Sequence, residues 1–147
     1  MNTADIVITD IEVLNKGKKK SRPISYCTHR LFCKHPALLF LQNTIGPTAC
    51  ITLKREDLQL FNPELKWFVD IEWYYRLLKG KRVSHCKACK IQSLDGHEEQ
   101  ISKKLDIMQA FIQDKAIISN IHGSDVRLML WLHEHLILGT KRLLGQI

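Results

Sequence analysis

No run in this sequence is long enough to cross a bilayer. The longest uninterrupted apolar stretches, Ala37 to Leu41 and Leu128 to Leu132, reach about a quarter of the ~20 residues a spanning helix needs. A basic leader is lacking too: Met1 to Leu14 carries Asp5, Asp10 and Glu12, which argues against a secretory signal. Cysteine is sparse and odd in number. Cys27, Cys33, Cys50, Cys86 and Cys89 do not suit a disulfide framework, and reduced thiols in a cytoplasmic protein are expected. Internal repeats and low-complexity segments are absent, which excludes solenoids and compositionally biased linkers.

What is present is globular composition. The chain has 147 residues, 45% hydrophobic and 25% charged, enough to build one sizeable core. The formal net charge of +7 favours anionic partners such as nucleotide phosphates, nucleic acid or an acidic membrane surface. Two basic runs stand out, Lys16 to Arg22 and Lys79 to Lys90, although such runs ordinarily mark solvated loops.

Apolar residues at 6, 7 and 8, then alternation to Leu14, predict a strand over Asp5 to Leu14. The basic stretch Asn15 to Arg22, with Gly17 inside and Pro23 after it, predicts a loop. Pro36 opens a short helix to Gln42, and Ala49 to Leu53 reads as a short buried strand after Gly46-Pro47. Asp70 to Lys79 has helical spacing, with Asp70 as a potential cap and Gly80 as the C-terminal glycine. Short strands are expected at Arg82 to Cys86 and Lys90 to Leu94. Two long helices, Glu98 to Ile118 and Val126 to Leu144, close the chain.

Three segments carry a resemblance. Asn43-Thr44-Ile45-Gly46-Pro47-Thr48-Ala49 leads into a strand that ends at Lys54-Arg55. Phe61-Asn62-Pro63-Glu64-Leu65-Lys66-Trp67 precedes Asp70-Ile71-Glu72-Trp73-Tyr74-Tyr75-Arg76-Leu77. Gly96-His97-Glu98-Glu99-Gln100-Ile101-Ser102 follows. In order and spacing, these resemble the acceptor-side, C-terminal half of a family-2 glycosyltransferase of the GT-A type. The resemblance implies an α/β fold: a partial GT-A-like sheet over residues 1–97, with a helical extension over residues 98–147 packed on or beside it. The nucleotide-binding half, with its Asp-x-Asp metal motif, would precede Asp5 and is not in this sequence. Thr9-Asp10-Ile11-Glu12 falls on the following strand and is not assigned that role.

Inverting glycosyl transfer needs a carboxylate to take the acceptor hydroxyl's proton and positive charge to meet the departing diphosphate. By the resemblance, Asp70 is that base. From local pattern alone it is a helix cap. Gly46 either brings backbone close to substrate or makes a tight turn. Trp67 and Trp73 form a stacking floor for a sugar ring or belong to the core. His97 approaches a divalent metal, manganese or magnesium, by resemblance, or is an ordinary turn residue. The partners implied are a nucleotide sugar and a glycan or lipid-linked acceptor, with a separate donor-binding half or a second copy supplying what is missing. Activity of this chain alone is not expected.

A rival reading is a zinc-stabilised basic nucleic-acid-binding module, built on His85-Cys86-x-x-Cys89 with Cys27, Cys33 and His35. The chain shows no interleaved aromatic and basic stretch to support it, so nucleic acid is disfavoured as a partner. A third reading is a non-catalytic interaction remnant. In the last helix, Leu128, Trp131, Leu132, His135 and Leu136 share a face. That face either packs on the core or, with Arg127, Lys141 and Arg142, rests on the inner face of an anionic membrane.

Overall fold

A computed structural model describes residues 4–15, 18–95 and 105–140. The chain is mixed α/β. Strand β1 (Ile6–Asn15) is followed by β2 (Lys18–Arg22), helix α1 (Tyr26–Lys34) and a 3-10 turn at Pro36–Phe40. Then come β3 (Ile51–Leu53), α2 (Val69–Leu78), β4 (Val83–Asp95), α3 (Ile107–Ile121) and α4 (Ser124–Leu132). The last helix runs on without a break as a π-helical segment, His133–Leu138.

Strand β1 is the centre of the sheet. β4 pairs with it in parallel from Ile6 to Asn15. On its other edge, β3 runs antiparallel beside Ile6 to Ile8, and β2 antiparallel beside Ile11 to Asn15. Its burial alternates as Ile6, Ile8, Asp10 and then shifts phase to Ile11 and Val13. The phase change lies where the β4 register slips, with Thr9 opposite Cys86 but Asp10 opposite Lys90.

The predicted strand at residues 5–14 is present, and the two short strands predicted from Arg82 to Leu94 are one continuous strand. The basic run was expected to be a loop throughout. Instead Lys18–Arg22 is a strand, its five side chains all exposed. Pairing with β1 overrides a composition poor in strand formers, while the lysines stay solvated. Helix α1 has no counterpart in the sequence reading. Only Phe32 of its nine residues is buried, with Thr28, His29 and Cys33 half-buried beside it, a face too mixed in polarity to read as an apolar stripe. Its signal was Ser25, whose hydroxyl accepts from the Thr28 N–H at 3.1 Å.

The helices pack on one side of this framework. Phe111, Ile118, Val126, Leu130 and Leu138 join Ile6, Ile8, Phe40, Phe68 and Tyr74 in one buried cluster. Helix α2 is central to it, with seven of its ten residues buried. It ends at Gly80, whose φ of +74° is the left-handed conformation expected of a glycine after a helix. No helix among the described residues is long and apolar enough to cross a membrane.

Candidate active site

The segment before α2 has few backbone partners of its own, so its N–H groups must be satisfied from elsewhere. Asp114, fully buried on α3, does this. Its carboxylate accepts from the N–H groups of Lys66 (3.0 Å), Trp67 (2.7 Å) and Phe68 (2.7 Å). The turn that places Trp67 and opens α2 is therefore anchored by a side chain about 46 residues downstream.

Helix α2 starts one residue earlier than the cap reading of Asp70 requires. Phe68 is the N-cap and makes no side-chain cap bond, and Asp70 is the second helical residue. Asp70 is partly buried, and burial raises its carboxyl pKa above the ordinary 3.8. Desolvation of the charged form is the cause. Asp70 lines a cleft of about 440 Å³ together with Leu41, Gln42, Asn43, Trp67 and His133. His133, which sequence reading placed only in an apolar helix, forms part of this wall. Its Nδ1 donates to the Leu41 carbonyl at 2.9 Å, and its ring stacks on Phe111 at 5.5 Å.

The Asn43 to Gly46 turn forms the neighbouring wall. Asn43 Oδ1 accepts from the Ile45 and Gly46 N–H groups, both at 3.0 Å, and its Nδ2 donates to the Gly46 carbonyl at 3.1 Å. The Tyr74 hydroxyl donates to the same carbonyl at 2.9 Å. Gly46 has φ +102°, which an L side chain rarely adopts. A β-carbon there would meet Cys50 and Ile11 only at ordinary contact, 3.6 Å. The glycine therefore serves the turn, and it lines a smaller hollow of about 240 Å³ with Arg22, Thr44 and Pro47 instead of the Asp70 cleft.

Of the four described candidates, Asp70 and Trp67 share the cleft, Gly46 is next to it through Asn43, and Trp73 is elsewhere. Trp73 is 4% exposed, its indole N–H donates to the Gln59 carbonyl at 2.7 Å, and Phe61 lies 4.9 Å from its ring. His97 lies outside the described residues. Glu72 and Arg76, four residues apart on α2, form an ion pair more tightly held than a surface pair. Glu72 is buried, accepts from Arg76 at 2.7 and 2.9 Å, and lies 3.0 Å from His122 Nε2.

The resemblance implies a divalent metal, and its one named ligand, His97, lies outside the described residues. Asp10 accepts from the Ile24 N–H at 3.0 Å and lies 2.7 Å from His85 Nε2, while Glu12 pairs with Lys19 and Gln92. Among the described residues, no three His, Cys, Asp or Glu side chains converge as a ligand set. The zinc pairing of Cys86 and Cys89 with Cys27, Cys33 and His35 is therefore not assembled. A larger hollow, about 530 Å³, lies at the other end of α2 between Cys33, Pro36, Tyr75, Lys79 and Met129. It is away from Asp70. No protein-family model, curated protein or solved structure matches this chain.

Proposed function

We propose that this chain is the acceptor side of an inverting, family-2-type glycosyltransferase, in which Asp70 is the general base. The observation that carries the reading is the state of Asp70. It is a partly buried carboxylate in a helix's first turn that caps nothing, and it lines a cleft with an aromatic ring. A carboxylate made more basic by burial suits proton removal from a hydroxyl. Trp67 offers a face for the apolar side of a sugar ring. Asp114 and Asn43 hold the two walls, so the cleft is organised before any ligand arrives. Donor binding is assigned to residues beyond those described, in this polypeptide or another, and no step of the proposal runs through a metal.

The test is transfer from nucleotide-sugar donors to saccharide or lipid-linked acceptors, with a donor-binding GT-A half joined ahead of Asp5. Asp70→Asn is expected to lower turnover by ~10²–10⁴-fold and leave acceptor affinity unchanged. Full turnover by that variant would end the proposal.

We further propose that the same site works close to lipid. Leu128, Trp131 and Leu136 are each about half exposed on the last helix, and Arg127 is exposed beside them. Lys141 and Arg142 lie outside the described residues. Because Val126, Leu130 and Leu138 of the same helix are core residues, deletion would damage the fold. Co-sedimentation with anionic vesicles should instead be lost on combined Leu128→Glu and Trp131→Glu substitution. Unchanged binding would assign the face to a protein partner.

A further inference from the structure

The pairing of β4 with β1 slips in register partway along the strand. Cys86 is opposite Thr9 and Lys90 is opposite Asp10, so Lys87, Ala88 and Cys89 have no partner on β1. Three extra residues in one strand form an outward-looped bulge, a device that re-aims side chains at a sheet's rim. It brings the two ends of Cys86-Lys87-Ala88-Cys89 together. Cys86 and the residue after Cys89 lie opposite neighbouring residues of β1, Thr9 and Asp10, which places the two cysteines close to each other. Cys89 is exposed and Cys86 partly so, with the exposed Lys87 and Lys90 on either side.

We propose that Cys86 and Cys89 are a redox-active dithiol, in which Cys86 is the attacking sulfur and Cys89 the resolving one. The zinc site considered from sequence has no third ligand here among the described residues, which leaves the pair free for exchange chemistry.

The Cys86 thiol is held below its ordinary pKa, chiefly by the hydrogen bond from Cys89 and then by the backbone N–H groups; Cys89 is raised for the reciprocal reason. The other thiols differ. Burial raises Cys33 to about 11, and burial also raises Cys50. Cys27 is exposed on α1, which makes it an internal reference of similar access.

The reaction partner is a low-molecular-weight disulfide, R–S–S–R. The Cys86 thiolate attacks one sulfur, the S–S bond breaks, and one R–S⁻ leaves and takes up a proton. Cys89 then loses its proton to solvent and attacks the Cys86 sulfur, expelling the second thiol. The protein dithiol gives up two electrons to one small disulfide, and two R–SH are released. Only the bulge has to close, because the paired residues on both sides already hold its ends.

The test uses the full chain in glutathione buffers of graded redox poise, with acid quenching, alkylation and peptide mass spectrometry. An internal Cys86–Cys89 disulfide is expected, with loss of two hydrogens, while Cys27 carries only a slower mixed disulfide. Cys89→Ser keeps a hydroxyl donor and should trap glutathione on Cys86 several-fold faster than on Cys27. Cys86→Ser should leave Cys89 no faster than Cys27. Neither residue is in the core, so circular dichroism should show both variants folded. Equal trapping at Cys86 and Cys27, or mixed disulfides without ring closure in the native chain, would overturn the assignment.

Discussion

A carboxylate in the first turn of a helix ordinarily gains from the dipole and from nearby N–H groups, which lower its pKa. Asp70 shows the opposite shift because burial desolvates its charged form. Ionising it therefore costs stability: below the ordinary value of 3.8 the cost is absent, and it grows as pH rises through the higher folded value. Asp70→Asn should then raise the melting temperature at neutral pH, and the gain should disappear below the ordinary carboxylate range. Thermal melts across pH check this, and a destabilised variant at neutral pH would mean that the carboxylate is structurally needed. From local pattern alone Asp70 read as a cap. The helix begins at Val69, and the anchoring of that turn is made from α3, a relation that local pattern does not contain.

At the scale of the element, α2 is held at three places. Asp114 anchors the turn ahead of it, Arg76 ties its middle to the Gln59–Leu60 segment, and Tyr74 holds the Gly46 turn. Asp114→Ala leaves three N–H groups without their acceptor and should cost about 3 kcal/mol in denaturant unfolding, with a shifted Trp67 indole resonance. The sequence did offer a hint, because Asp114 is three residues after Phe111 and four before Ile118 on the buried face of α3. Arg76→Ala strands the buried Glu72 beside His122 and should cost about 3 kcal/mol. Arg76→Lys should recover only part, since an ammonium cannot reproduce the bidentate contact. The Glu72–Arg76 spacing was legible in the sequence, but its burial was not, because Gln59 and His122 arrive from distant segments.

At the scale of the whole molecule, β1, α2 and the two C-terminal helices were legible because each carries its own apolar period, although the first of those helices starts at Ile107, after its Asp106 cap, and not at Glu98 as expected. β2 and α1 were not: both are mostly exposed and exist through pairing or capping. Trp73 shows the same limit within a legible helix. Its spacing suits a sugar platform or a core, and only the packing of Phe61 and the bond to Gln59 distinguish the two. Donor binding is assigned by the proposal to residues beyond those described. Calorimetry with uridine and guanosine diphosphate sugars plus manganese should therefore give affinity weaker than micromolar, and tighter binding would contradict that.

The account rests on the cleft at Asp70 receiving an acceptor sugar. Nitrogen-15 NMR titration of the chain with mono- and oligosaccharides tests this most directly, since Trp67 lines the cleft while the Trp73 indole is bonded to Gln59 away from it. The prediction is saturable movement of the Trp67 indole and the Asp70 amide, an unmoved Trp73 indole, and retention of both shifts in Asp70→Asn. Shifts that track Trp73 or the hollow at Lys79 instead, or no saturable shift with any saccharide, would contradict it.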